Sequence, residues 1–279
     1  MNILIVGLGL MGGSYALGLT KAGHKVYGVD INNDSIKYAK ENKLIVDGSS
    51  DAKKYISNAD LIVLGLYPNN IIDFIKENNE YFHDGQIVTD LSGVKTCFLD
   101  EAQSLIKNAE YISHHPMAGR EKSGIYYANV EMFNKANFLI CPTKKNTSHA
   151  VDVIKTIGKE LGFNNINVVN PAHHDALIAY TSQLTHAIAV SLVNADTEAD
   201  TKNYVGDSYR DLTRIAKINE VLWSELFFDN KEALLKKIDD FTNELNDIKN
   251  ALLNDDKEAL KEKFISSTKH RKEMEQWKS

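Results

Sequence analysis

As far as about residue 170 the chain alternates short, almost uninterrupted apolar runs with longer stretches of helical period. The runs cover 2–6, 25–29, 61–66, 86–89, 111–113, 137–141 and 166–169. Strands that are apolar on both faces need cover on both, so the pattern predicts a parallel, doubly wound sheet with helices on either side. After Pro171 the strand signals stop. Residues 176–193 are apolar nearly all round, which predicts a buried helix. Further on, Leu234, Leu235, Ile238, Phe241, Leu245, Ile248 and Leu252 recur at spacings of three and four. That is a helix with an apolar seam, covered either within its own subunit or by a second one. An all-helical region this short has little else to cover an apolar helix, which favours the subunit interface. The charged stretch 257–279 is expected to be a solvated helix. The expected architecture is α/β over 1–170 followed by an all-α domain over 171–279.

Composition narrows the class. A chain of 279 residues with 43% hydrophobic content, 16 glycines and four prolines has ample core for two domains and no low-complexity character. The net charge is −6, without a long basic run, which argues against nucleic acid or an anionic membrane as partner. Two cysteines cannot build a disulfide framework and suit a reducing compartment. The first apolar run has no basic leader or cleavage site, so it reads as a strand entering a turn rather than a signal peptide. No run approaches the ~18 consecutive apolar residues a bilayer span needs. A cytoplasmic protein is therefore expected. Nine histidines raise the question of a metal. There is no HExxH, and the adjacent pairs His114–His115 and His173–His174 cannot readily converge, so no metal site is expected.

Gly7-Leu8-Gly9-Leu10-Met11-Gly12 follows the first apolar run and opens a helical stretch, the context in which GxGxxG binds a dinucleotide. Glycines permit the tight turn and let backbone N–H groups approach a pyrophosphate at a helix N-terminus. Asp30 ends the next run, where its carboxylate can accept both ribose hydroxyls of NAD and repel the 2′-phosphate of NADP. The basic residues nearby, Lys37 and Lys40, lie beyond the usual phosphate contact. The N-terminal half is therefore expected to be a Rossmann-type domain binding NAD. Pro68 follows the run 61–66, where a loop would cover the cofactor or simply break the chain.

The segment His115-Pro116-Met117-Ala118-Gly119-Arg120-Glu121-Lys122-Ser123-Gly124 joins an imidazole to a stiffened loop with three ionisable side chains. An imidazole near its unperturbed pKa of about 6.5 accepts a proton at neutral pH, so His115 is the candidate general base. His114, its neighbour in an extended chain, points to the opposite face and is expected to pack or meet solvent.

Four segments in order, GLGLMGGS, Asp90-Leu91-Ser92-Gly93-Val94-Lys95, the HPMAGREKSG loop and Ser208-Tyr209-Arg210-Asp211-Leu212-Thr213-Arg214-Ile215-Ala216, together resemble the prephenate dehydrogenase family almost end to end. The resemblance implies NAD-dependent oxidation of prephenate with loss of CO2 to give 4-hydroxyphenylpyruvate, on the route to tyrosine. It also implies a homodimer joined through the helical domain. His115 would take the ring hydroxyl proton. Arg214 would grip the ring carboxylate, since a guanidinium offers a carboxylate two parallel hydrogen bonds. Arg210, a turn earlier, would take the other carboxylate or line the entrance, unless it pairs with Asp207 or Asp211 at the surface. Ser182 and His186, a turn apart, would face the substrate pocket, and Glu121 would gate its mouth with Arg120 or Lys122 as partner. The family commonly reads D-x-x-S-x-K where this chain has Gly93, so Ser92 must either reach the imidazole by a shifted backbone or leave it unsupported. Gln183 also stands where several relatives have histidine. At this length no added mutase or regulatory domain is expected.

Arogenate dehydrogenase is the close rival, its substrate carrying ammonium where prephenate has a keto oxygen. That ammonium would want a carboxylate, which 181–186 does not offer. A β-hydroxyacid dehydrogenase or imine reductase shares the two-domain plan but does not account for the HPMAGREKSG and RDLTR segments. A non-catalytic NAD sensor would bind the dinucleotide without turning over, and NADH formation with prephenate separates it at once.

Overall fold

The computed structural model describes residues 1–118 and 122–275. Among the described residues there are nine strands: β1 (Asn2–Val6), β2 (Lys25–Val29), β3 (Asp47–Ser49), β4 (Leu61–Leu64), β5 (Ile87–Asp90), β6 (Glu110–Tyr111), β7 (Ser113–Met117), β8 (Asn137–Cys141) and β9 (Asn165–Val168). The helices are α1 (Leu10–Lys21), α2 (Asn33–Glu41), α3 (Lys53–Ile56), α4 (Pro68–Asn78), α5 (Leu99–Leu105), α6 (Ser148–Glu160), α7 (Pro171–Ile178), α8 (Leu184–Asn194), α9 (Asp207–Thr213), α10 (Glu220–Asp229), α11 (Lys231–Leu253) and α12 (Lys257–Glu275).

The first six strands form one parallel sheet in the order β3-β2-β1-β4-β5-β6. Its apolar runs divide by alternation, as pleating demands. Ile3, Ile5, Leu61 and Val63 enter a core shared with α1 and α6, while Leu4, Val6, Ile62 and Leu64 enter a second core with α4 and α5. Both faces are covered, which is why these strands read as continuous apolar sequence. The crossover order places the carboxyl ends of β1 and β4 at the point where the chain reverses direction, the usual seat of a ligand in such sheets.

One part of the expectation is corrected. The last three strands do not extend the parallel sheet; β7, β8 and β9 form a separate sheet in that order, with β7 antiparallel to β8. Pro116 sits in β7, the edge strand of this sheet, where its missing N–H costs no ladder bond. Phe138 and Ile140 of β8 join the same core as Ile3 and Ile5, so the small sheet closes one face of the large one.

Residues Met1–Asn230 form one compact unit and Lys231–Ser279 another. The early helical region thus belongs with the sheets, tied to them by bonds described below. Within the second unit α11 and α12 form a helical hairpin, with Lys263 bonded to Glu244 at 2.8 Å and Asp247 at 2.7 Å. Leu235, Phe241, Leu245 and Leu252 of the expected seam are exposed on the single chain.

The helix over Pro171–Asn194 departs from expectation twice. By length and composition it is apolar enough to cross a membrane, although it holds no uninterrupted apolar run of that length. Only 28% of its most apolar window is buried, so it is not the enclosed helix that its all-round apolarity suggests. Buried His174 and Asp175 anchor its first turns to the sheets, whereas Leu177, Tyr180, Leu192 and Val193 are exposed. Its middle, Ala179–Gln183, is a π-helical turn; such turns re-aim side chains within an otherwise regular helix.

Candidate active site

The turn after β1 is shaped by backbone. Gly7 has φ +89°, and a Cβ there would lie 2.5 Å from the Gly65 carbonyl oxygen. A Cβ on Gly12 would stand 1.9 Å from the Gly7 oxygen, while one on Gly9 would meet nothing within 4 Å. Gly9 caps α1 without a side-chain bond. The uncapped N-terminus therefore opens onto a cavity of about 1060 Å³, with Gly7, Gly9, Leu10, Met11, Gly12 and Asp30 in its lining. That volume and an open, positively polarised helix end suit a dinucleotide.

Asp30 directly follows β2, with each carboxylate oxygen already engaged by an amide, Leu8 N–H at 2.6 Å and Asn32 N–H at 2.8 Å. Each oxygen keeps a further lone pair for a hydroxyl. The lysines available to neutralise a 2′-phosphate are committed elsewhere. Lys40 and Lys54 both donate to Asp47, at 2.8 and 2.9 Å, and hold its carboxyl well below the usual range. Lys37 lies 4.0 Å from Glu41. Lys53, also in the cavity wall, sets its ammonium over the Tyr81 ring.

Two of the expected cofactor residues act differently. Leu8 is fully buried, and its contribution is the amide that orients Asp30. Pro68 is the first residue of α4 and is buried, so Tyr67 and Asn70 supply the wall in its place.

Alternation along β7 sends the two histidines to opposite faces. His114 is buried in the core, its Nε2 2.8 Å from the Tyr15 hydroxyl and its Nδ1 2.6 Å from Thr89 Oγ1. Burial, aided by the Lys95 charge, holds it well below the ordinary imidazole pKa. His115 turns the other way. Its Nδ1 lies 2.9 Å from His174 Nε2. A Cβ built on Gly93 would stand 3.9 Å from its Cε1 and Nε2, which shows that this edge of the ring faces the Gly93 position. Burial first, then the neighbouring His174, Lys95 and His114, push its pKa well below 6.5.

Lys95 frames this arrangement. It is fully buried, and its ammonium donates to Asp90 Oδ1 at 2.8 Å, to the Ser92 carbonyl at 2.7 Å and to the His114 carbonyl at 2.8 Å. Those bonds pin the loop after β5 to β7. Ser92 does not take over from the missing serine: its hydroxyl lies 3.4 Å from the Val94 amide, from which it accepts, within a buried turn. The backbone is held by Lys95, so no shift brings Ser92 toward the imidazole.

The start of α7 carries residues that the sequence did not single out. Asp175 is buried and accepts from His174 Nδ1 at 2.7 Å, the Lys95 amide at 3.0 Å, and the Thr96 amide and hydroxyl at 2.8 and 2.5 Å. Burial pushes its carboxyl up, but the bonds from His174 and Thr96 outweigh that and leave it below the usual value. His174 is itself lowered by burial, against the pull of Asp175. The His173–His174 pair was visible in sequence but was weighed only as a metal pair, and nothing local pointed to a partner 59 positions away.

Helices α8 and α10 supply the second half of the site. His186 Nδ1–H donates to the Ser182 carbonyl at 2.8 Å, and its ring stacks on Trp223 with centroids 3.6 Å apart. Burial lowers its pKa, the Ser182 carbonyl opposes this, and Arg214 lowers it further. Arg214 therefore shares the surroundings of His186. One turn beyond Trp223, Leu226 would lie 3.6 Å from a Cβ on Gly93, and its carbonyl accepts from Gln183 at 2.7 Å. A single turn of α10 thus links the His115 end to the His186 end. Trp223 and Leu226 read as ordinary core positions, so no sequence signal set them apart. Gln183 is bound to Leu226 and Asn230 and serves the packing of the helices. The helix α9 ends at Thr213 and Arg214 starts a 3₁₀ turn, which removes the shared face expected for Arg210 and Arg214. Arg210 instead forms the surface pair, bonded to Asp207 at 3.0 Å and to the Val205 carbonyl at 2.9 Å. Glu121, with Gly119 and Arg120, lies outside the described residues.

Comparison with known proteins places the chain in a family. A family model described as prephenate dehydrogenase, nucleotide-binding domain, matches residues 15–167, and one described as prephenate dehydrogenase, dimerization domain, matches 170–266. Prephenate dehydrogenase of Bacillus subtilis (strain 168) is 26% identical over 97% of this chain and 75% of its own length. The crystal structure of prephenate dehydrogenase from A. aeolicus, in complex with hydroxyphenyl propionate and NAD+, superposes with a TM-score of 0.89 at 29% identity, covering 98% of both chains. Synechocystis arogenate dehydrogenase superposes at 0.86 with 26% identity over 98% of this chain and all of its own. With family models covering both halves, the chain belongs to the prephenate dehydrogenase family.

Proposed function

We propose that the protein oxidises prephenate with NAD, yielding 4-hydroxyphenylpyruvate, CO2 and NADH, with His115 as the base. The observation that carries this reading is the placement of His115, held at Nδ1 by His174 with its Nε2 edge facing the gap at Gly93. NAD, when bound, accepts the hydride from the carbinol carbon. The glycine turn and the α1 N-terminus would hold its pyrophosphate, and Asp30 would accept the ribose hydroxyls. Removing the hydroxyl proton lets the O–H electron pair form the carbonyl as hydride departs, and the ring aromatises as the carboxylate leaves as CO2. A neutral imidazole is the form that can accept that proton, and burial keeps His115 neutral.

Arg214 grips a substrate carboxylate, with Ser182 and His186 beside it and the Trp223 ring as an apolar wall. Ser92 and Arg210 act indirectly, the first by shaping the β5 loop and the second from the surface. The division of labour falls at residue 170, cofactor before and substrate after.

A second copy of the chain covers the exposed Leu177, Tyr180, Leu192 and Val193, giving a homodimer through the helical region; the match of that region to a dimerization domain supports this. Cys97 and Cys141 are both free thiols, which supports a cytoplasmic setting. Initial rates of NADH formation with prephenate and with arogenate, each with NAD and NADP, test the reading. The result expected is turnover with prephenate and NAD in excess of the other combinations. Binding of NAD without turnover on either acid would overturn it, and a preference for arogenate would reassign the substrate.

A further inference from the structure

We infer that His174 and Asp175 are a positioning pair that fixes the His115 tautomer and takes up the positive charge that His115 gains during proton removal. The inference rests on His115 being the base and deepens that reading. It follows from counting hydrogens along a chain of three side chains. The Asp175 carboxylate can only accept, and it lies 2.7 Å from His174 Nδ1, so that nitrogen carries the hydrogen. A neutral imidazole carries one hydrogen, so His174 Nε2 presents a lone pair. His115 Nδ1, at 2.9 Å, must then be the donor. Its own lone pair is left on Nε2, the edge that faces Gly93. The carboxylate thus dictates, through two rings, which nitrogen of His115 is basic.

The charges around His115 explain why a second imidazole is useful. Lys95 and Asp90 lie beyond the β5 loop, Lys95 with its ammonium bonded to Asp90 and to the Ser92 and His114 carbonyls. On its own strand His114 is occupied by Tyr15 and Thr89, and from α10 the neighbour at Gly93 is the apolar Leu226. His115 therefore has a repelling ammonium nearby and no carboxylate bonded to its ring among the described residues. His174 has one at 2.7 Å. As the substrate hydroxyl proton bonds to His115 Nε2, the hydrogen on His115 Nδ1 passes to His174 Nε2. His115 stays neutral and His174 becomes an imidazolium paired with Asp175. The hydroxyl oxygen keeps its electron pair for the carbonyl. Loss of CO2 then returns an electron pair to that oxygen as a phenolate. The stored proton passes back from His174 through His115 to it, giving the phenol with no net proton released. His174 touches neither substrate nor cofactor in this scheme; it acts through His115.

Asp175 also holds the Lys95 and Thr96 amides, so His174 is the cleaner position to change. The first measurement is on the unaltered protein: ring nitrogen shifts from long-range proton–nitrogen correlation spectra with labelled histidine. Both His115 and His174 are expected with the hydrogen on Nδ1. His174→Phe keeps a ring but no acceptor. It should lower kcat by about 10²- to 10⁴-fold, the size of losing a correctly held base, with KM for prephenate and NAD within about threefold. It should also release His115 to the Nε2–H form. His174→Gln offers an amide oxygen to His115 Nδ1, so it should keep the tautomer and recover part of kcat. A proton on His115 Nε2 in the unaltered protein would overturn the pair, as would full kcat in His174→Phe. If the tautomers are as expected but prephenate gives no NADH, the pair stands and the substrate assignment falls.

Discussion

The crevice behind β1 and the imidazole cluster at the end of β7 are built from different parts of the chain. The crevice is backbone: three glycines, an uncapped helix end and one carboxylate that is itself oriented by amides. Its parts lie within 24 consecutive residues, 7 to 30, and the geometry follows from local rules. The cluster is side chain, and its members come from β5, β7, α7 and α10. A site of the first kind binds whatever presents phosphate to a helix end. A site of the second kind decides which proton moves, and it exists only once the helical region has docked on the sheets.

Substitutions should separate the two regions by which kinetic constant they move. His115→Asn should lower kcat by about 10²- to 10⁴-fold with NAD affinity unchanged, measured by steady-state rates and nucleotide titration. A drop in NAD affinity of comparable size would merge the two regions into one. Arg214→Ala should raise KM for prephenate by roughly 10- to 100-fold, the size of a lost charge-assisted bond, with a smaller change in kcat. An unchanged KM would move the carboxylate clamp elsewhere. Gly12→Ala forces a Cβ against the Gly7 oxygen, so NAD affinity should fall by about tenfold or more, and the melting temperature should fall with it. Asp30→Ala should narrow discrimination against NADP by a few-fold to about tenfold, seen in the ratio of kcat/KM for the two nucleotides. The smallest effect belongs to Gly93→Ser, because a Cβ there meets only ordinary contacts at 3.6–3.9 Å. Its kcat should stay within about threefold of the parent protein.

This contrast also explains what could be read from the chain. The strands of the large sheet announced themselves by apolar continuity, with the exception of β3, whose Asp47-Gly48-Ser49 has the composition of a turn. Apolar period identifies a strand but not its sheet, so 137–141 and 166–169 were expected in the large sheet and are found in the small one. The same blindness to partners made residues 176–193 look enclosed, when the single chain leaves much of that helix uncovered. Asp30 and the glycines were legible because spacing alone places them. That His114 and His115 face opposite ways was legible because side chains alternate along a strand. The sequence left open whether Ser92 reaches the imidazole in place of the serine missing at Gly93 or leaves it unsupported; a buried Lys95 fixes the Ser92 backbone, and that constraint is a tertiary fact. Arg210 was grouped with Arg214 on the assumption of one unbroken helix, which ends at Thr213. His174 and Asp175 were passed over because their partners are distant in sequence.

The central claim is that a neutral, half-buried His115 is the proton acceptor, and the pH dependence of kcat/KM for prephenate tests it most directly. A base with a lowered pKa stays unprotonated as pH falls past the ordinary imidazole value of 6.5 and is lost only below it. The account predicts activity that holds level down through pH 6.5, an acid limb below that value, and the disappearance of that limb in His115→Asn. An acid limb at or above 6.5, or the same limb persisting in His115→Asn, would contradict it.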